Sequence, residues 1–184
     1  MDEGRREEIA DALLGAYASG KPVDPPTERH PGLTAPDAYE IQLIQVRRWT
    51  ADGARVKGHK VGLTSVAMQR QLGVHQPVYG HLLDRMFWLE HEPVPMARFL
   101  QPRVEPEIAF VLRAPLRGPG VTVADAVAAV GCVLPALELV DSRIGLAVEP
   151  GWLVLACGLT EAATVPSGSP LAVHFTTLGS IHLA

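Results

Sequence analysis

An α+β fold is predicted from three features of this 184-residue sequence. Helical periodicity is concentrated in residues 1–56, and turn-punctuated strand segments fill residues 57–184. The composition, 47% apolar and 20% charged, suits a globular chain able to bury a sizeable core. The chain therefore reads as one domain over 1–184, with a helical N-terminal part (1–56) and a β-rich part (57–184) carrying the candidate site. A net charge of −4 and the lack of a basic run argue against a nucleic-acid surface. Cys132 and Cys157 form no CxxC pair, which fits reduced thiols and a cytoplasmic location. The charged N-terminus is unlike a signal peptide, and no apolar run approaches the ~20 residues of a membrane span.

The first helix spans residues 5–19, where Ile9, Leu13 and Tyr17 recur every four positions and Gly20 stops the run. A proline-rich connector covers 21–32. Thr34 caps the second helix, with Pro36 in its first turn and Asp37 three residues on, a variant of the capping box. Ile41, Ile44 and Trp49 share one side of it, so both helices read as packing or assembly elements. Gly58-His59-Lys60-Val61-Gly62-Leu63-Thr64 reads as a strand running into a turn. Lys60 stands out in it: either desolvation lowers its pKa for proton transfer, or its ammonium snorkels to water. Ser65 caps a short helix over 66–72, Gly73 ends it, and Gln76-Pro77-Val78-Tyr79-Gly80 reads as a loop.

Arg103-Val104-Glu105-Pro106-Glu107-Ile108-Ala109-Phe110-Val111-Leu112 reads as the central strand. Alternation puts Glu105 and Glu107 on one face, ~7 Å apart, and Ile108, Phe110 and Leu112 on a core-like opposite face. Like charges at that spacing repel by roughly 2 kcal/mol at an effective dielectric of ~20. A solvated edge strand and a divalent-cation site both answer that cost. Thr122 and Asp125 open a further helix to about residue 130. Glu138 then falls mid-strand in the apolar run Val133-Leu134-Pro135-Ala136-Leu137-Glu138-Leu139-Val140, a third carboxylate in an apolar setting. Segments 152–156, 171–175 and 180–183 read as strands, and His174 and His182 are too isolated to be ligands.

Three blocks in order carry a resemblance: Gly58-His59-Lys60-Val61-Gly62-Leu63-Thr64; Gln101-Pro102-Arg103-Val104-Glu105-Pro106-Glu107; and Leu134-Pro135-Ala136-Leu137-Glu138 with Asp141-Ser142-Arg143-Ile144. They resemble the 2-keto-4-pentenoate hydratase group, which also holds the 4-oxalocrotonate decarboxylases, within the fumarylacetoacetate hydrolase superfamily. The resemblance implies a mixed, strongly curved sheet of that superfamily's C-terminal-domain type with peripheral helices. It implies Mg²⁺ or Mn²⁺ held by Glu105, Glu107 and Glu138, with Lys60 as proton donor/acceptor or carboxylate anchor. Arg103 and Thr160 would line the substrate site. The implied reaction adds water to 2-hydroxypenta-2,4-dienoate, giving 4-hydroxy-2-oxopentanoate in the catabolism of aromatic compounds. The alternatives are 2-oxo-acid (4-oxalocrotonate) decarboxylation and a truncated, non-catalytic paralogue. A homo-oligomer associated with a downstream aldolase or decarboxylase is expected, and neither nucleic acid nor membrane is expected as a partner.

Three departures stand against the family pattern, one being Ala156-Cys157-Gly158-Leu159-Thr160 where relatives tend to carry Thr-Gly-Gly-Leu-Thr. Gly73-Val74-His75-Gln76-Pro77-Val78-Tyr79-Gly80 lacks both acidic positions of the usual loop, and Val78 stands where a carboxylate thought to assist catalysis is expected. The resemblance also breaks between Ile144 and Gly145, where roughly 70 residues of the family pattern are absent, and resumes at Glu149.

Overall fold

The computed structural model describes residues 1–71 and 73–145, together with the backbone of 163–164, 171–175 and 179–183. Helix α1 (Glu3–Ser19) begins where Asp2 Oδ1 accepts from the Arg5 amide at 2.9 Å, and ends at Gly20, whose φ of 65° favours glycine. Within the connector lies a one-turn helix, α2 (Pro26–Arg29), that periodicity did not reveal. Helix α3 (Ala35–Ala51) opens on the expected capping box: the Asp37 amide donates to Thr34 Oγ1 at 3.3 Å, and the Thr34 amide donates to Asp37 Oδ2 at 3.1 Å. Ile9 and Ala10 of α1 meet Ile41 and Ile44 of α3 in a buried cluster, with Leu13 and Leu33 packed against it. Each buried isoleucine contributes about 1.5–3 kcal/mol, so these helices serve packing as expected. Tyr17 meets Trp49 edge-on, ring centroids 5.4 Å apart.

Strand β1 (Val56–Gly62) pairs antiparallel with β2 (Val78–Leu83). The expected loop over 76–80 is thus corrected: Val78, Tyr79 and Gly80 pair with Gly62, Val61 and Lys60, and ladder hydrogen bonds override the turn-like local sequence. β1 also starts two residues before the expected strand and stops at Gly62, because Leu63 turns into the left-handed region at φ 54°. Helix α4 (Val66–Gln71) follows, and the buried Gln69 side chain donates to the Leu63 carbonyl at 2.7 Å.

The site-bearing sheet has the order β4-β3-β5, both pairings antiparallel: β3 (Arg103–Leu112) lies between β4 (Val130–Val140) and the short β5 (Ala163–Thr164). Helix α5 (Val123–Ala129) opens on a capping box between Thr122 and Asp125 and leads directly into β4. Strands β6 (Leu171–Phe175) and β7 (Gly179–Leu183) form an antiparallel hairpin. Every ladder among the described residues is antiparallel, and the one parallel pairing is an isolated bridge between Val23 and Ile144. Val23 donates its amide to the Arg143 carbonyl at 2.9 Å and accepts from the Gly145 amide at 2.7 Å, tying the connector to the end of β4.

Ile108, Phe110 and Leu112 were expected to face a core. Phe110 is instead 62% exposed and Leu112 48%, since no described element covers that end of the sheet. Cys132 is a free, exposed cysteine. The expected strand over 152–156, Thr160 and Cys157 lie outside the described residues. Among the described residues, no helix is long and apolar enough to cross a membrane.

Candidate functional site

The β3–β4 register builds the site. Glu105 stands directly opposite Glu138, and Glu107 opposite Ala136, so strand alternation brings all three carboxylates to one face. One oxygen from each lies within 4.8 Å of the others. Glu105 is only 2% exposed and its carboxylate makes no hydrogen bond to any described residue, whereas Glu107 and Glu138 are half-buried. Burial, and next the Glu138 charge, push the Glu105 carboxyl above the ordinary glutamate range.

Lys60 arrives from the other sheet. Its Nζ donates to Glu107 Oε1 and lies 2.5 Å from Glu138 Oε2. The desolvation argument for a lowered lysine pKa needs correction here. Burial is the largest single influence and does lower it, but the bonds and charges of Glu107 and Glu138 together hold the ammonium above its ordinary range. The snorkelling alternative is not what is seen either, because the ammonium points at carboxylates.

The donor set fits a hard divalent cation. Three carboxylates less one ammonium leave an excess of two negative charges when all are ionised, and carboxylate oxygens are the ligands that Mg²⁺, Ca²⁺ and Mn²⁺ prefer. A buried carboxylate such as Glu105, with no side-chain hydrogen bond to a described residue, otherwise carries a desolvation cost that the charges of Lys60 and Arg103 offset only in part.

Other expected residues fall into place around this cluster. Arg103 shares the Glu105 face of β3, opposite Val140 and Thr164, and its charge lowers the Glu105 pKa slightly against the larger effects. Val78 pairs with Gly62 and Gly80 with Lys60, so alternation places Val78 on the Lys60 face of the hairpin. Thr160 is outside the described residues.

Two supports escaped the sequence reading. On α3, Gln42 Oε1 lies 2.8 Å from His81 Nδ1, and Tyr39 stacks on Tyr79 with centroids 4.7 Å apart, which fixes the hairpin carrying Lys60. Asp141, just past β4, accepts from the Leu100 and Gln101 amides at 3.0 and 2.6 Å and pairs with Arg143. That fixes the approach to β3, while Arg143 lies over the Tyr17 ring, 4.2 Å from its centroid. The only signal for Asp141 and Arg143 was their place in the third motif block; Gln42 had none.

Comparison with known proteins gives the same direction. No family model matches the chain. It is 46% identical over 145 residues to a 2-hydroxypent-2,4-dienoate hydratase of Pseudomonas putida, covering 78% of this chain and 65% of the relative. A 2-oxo-hept-4-ene-1,7-dioate hydratase of Escherichia coli is 49% identical over 114 residues, covering 62% and 43%. The solved 4-oxalocrotonate decarboxylase from Pseudomonas putida G7, complexed with magnesium and adipate, superposes with a TM-score of 0.74 at 34% identity, covering 78% of this chain and 55% of that one. A second structure of it, with calcium and acetate, matches equally. The chain thus spans between two-fifths and two-thirds of the length of these relatives.

Proposed function

We propose, for a chain that belongs to the family of 2-keto-4-pentenoate hydratases and 4-oxalocrotonate decarboxylases, a divalent-metal-dependent hydration of 2-hydroxypenta-2,4-dienoate to 4-hydroxy-2-oxopentanoate. The observation that carries this reading is the convergence of Glu105, Glu107 and Glu138 with Lys60. Glu105, Glu107 and Glu138 would hold Mg²⁺ or Mn²⁺. When bound, the metal supplies Lewis acidity toward the oxygens of a 2-oxo acid.

The chain's own residues account for the remaining steps. The substrate carboxylate brings negative charge to a face where Lys60 and Arg103 are the cations proposed to orient it. Lys60, the one ammonium touching the cluster among the described residues, serves as proton donor and acceptor as the dienol becomes the 2-oxo form. Hydration needs that proton to reach the conjugated carbon chain, with water then adding at its far end. Val78, on the same face as Lys60, moves no proton, so proton traffic depends on Lys60 more than in a site with a carboxylate there. Thr160 is proposed to help line the site.

A 2-oxo-acid decarboxylase is the second reading, favoured by the superposition on 4-oxalocrotonate decarboxylase. Hydratase is preferred because the hydratase relatives stand at 46% and 49% identity against 34% for that enzyme. We further place the protein in the cytoplasm as a homo-oligomer with a strongly curved sheet, working beside an aldolase or decarboxylase that handles the neighbouring step. The deciding assay follows the loss of dienoate ultraviolet absorbance with Mg²⁺ present and identifies the product. Formation of 4-hydroxy-2-oxopentanoate supports the hydratase. Carbon dioxide released from 4-oxalocrotonate moves the assignment to decarboxylase. Neither product, from folded and metal-bound protein, makes the chain a non-catalytic member.

A further inference from the structure

We propose that Lys60 sets the divalent-cation affinity of the acidic cluster by competing for its carboxylates, so that a metal ion binds only as the ammonium gives up Glu107 and Glu138. The inference rests on the metal-site reading above and goes beyond a proton-transfer role for this lysine.

The geometry is that of one cation engaging two of three candidate ligands. Lys60 Nζ donates to Glu107 Oε1 and lies 2.5 Å from Glu138 Oε2, while the buried Glu105 carboxylate is hydrogen-bonded to no described residue. The side chain is about one-quarter exposed, so water screens its charge only in part. Nor is it free to drift. It projects from a strand paired at Gly80, in a hairpin held to α3 by the Gln42–His81 hydrogen bond and the Tyr39–Tyr79 stack.

An ammonium offers one charge and hydrogen bonds. A hard divalent ion offers two charges and takes several oxygens at once. Both draw on the same carboxylates, within a cluster whose ligand oxygens span no more than 4.8 Å. At that range a fixed positive charge opposes a second cation strongly. Any residue that keeps the charge in place keeps the opposition, whether or not it can exchange a proton. This separates competition from catalysis: arginine preserves the first and loses the second.

The test is isothermal titration of the full chain with MgCl₂ at pH 8, for wild type, Lys60→Met and Lys60→Arg, after melting curves in EDTA show that each is folded. Lys60→Met should bind Mg²⁺ ~10-fold or more tightly than wild type, and Lys60→Arg should show no tightening. If Lys60→Met does not fold, Lys60→Gln takes its place, since its amide still donates to the carboxylates without a charge. Binding by Lys60→Met alone, with none in wild type, also supports competition. Equal affinity in wild type and Lys60→Met overturns the proposal and leaves the metal site standing. Weaker binding in Lys60→Met overturns it too, making the lysine a support of the ligands. Absence of binding in every variant sinks the metal reading and this inference with it.

Discussion

Replacing Glu105 by glutamine should change stability in opposite directions with and without metal. Its carboxylate faces those of Glu107 and Glu138, with ligand oxygens no more than 4.8 Å apart, and Lys60 supplies the nearest opposing charge. At that separation and an effective dielectric of ~20, each pair of unit charges interacts by about 3 kcal/mol. Two repulsions against the attraction of Lys60 and the smaller one of Arg103 leave a net cost of about one such pair or less. Solvent and salt around these partners, each about one-quarter exposed, reduce it to roughly 1–2 kcal/mol. Glu105→Gln keeps the side chain's size and removes that cost, so in EDTA the variant should melt about 2–8 °C above wild type. Saturating Mg²⁺ should reverse the order. A cation at 100 times its Kd stabilises the native state by about 2.7 kcal/mol, and the variant has lost a charged ligand. Differential scanning fluorimetry in EDTA and in MgCl₂ reads both limbs. A variant that melts below wild type in EDTA refutes the electrostatic argument, and one that keeps the full Mg²⁺ shift refutes Glu105 as a ligand.

Lys60→Ala should lower kcat of the dienoate reaction by ~10²–10⁴-fold, the usual range for a proton-transfer group, as read by ultraviolet absorbance. Val78→Asp should raise kcat if proton transfer limits turnover, because alternation puts the new carboxylate on the Lys60 face; an unchanged rate shows that another step limits. Asp37 governs acid stability at the α1–α3 end. Its bonds to Thr34 and then to Arg6 hold its carboxyl far below the ordinary 3.8. A depressed folded-state pKa gives stability that is present above the unfolded value and lost as pH falls below about 4. Asp37→Asn should therefore flatten the acid limb of the melting temperature between about pH 5 and 2, and an unchanged limb would assign acid unfolding to other carboxylates.

How much of this was legible in the sequence depends on the range of each interaction. Both capping boxes, Thr34 with Asp37 and Thr122 with Asp125, join residues three positions apart and were readable, fully for the first and as a helix start for the second. Strand alternation gave the common face of Glu105 and Glu107 because it too is local. That Glu138 stands opposite Glu105 depends on register between distant strands, and only the family resemblance anticipated their meeting. The partners of Lys60, Glu107 and Glu138, lie 47 and 78 positions away on another sheet, so a desolvation argument without those carboxylates took the wrong sign. Gln76-Pro77-Val78-Tyr79-Gly80 looks like a turn by composition, and pairing with β1 decides otherwise for its last three residues. Phe110 and Leu112 have an apolar pattern, but burial requires a covering partner that no single-strand pattern specifies.

The backward-turned leucine after β1 inverts the usual ranking of small residues. Leu63 is held at φ 54° yet is only 9% exposed, so its side chain gains burial while its backbone is strained. Alanine there forfeits most of the buried surface and keeps the strain of a Cβ in a left-handed turn, ~1–2 kcal/mol. Glycine forfeits slightly more surface and sheds that strain altogether. In a strand or helix, alanine is the gentler truncation. At position 63 glycine should be, and melting curves of Leu63→Ala and Leu63→Gly should rank the glycine variant as the more stable. A site scanned only with alanine would overstate how much this leucine's side chain contributes.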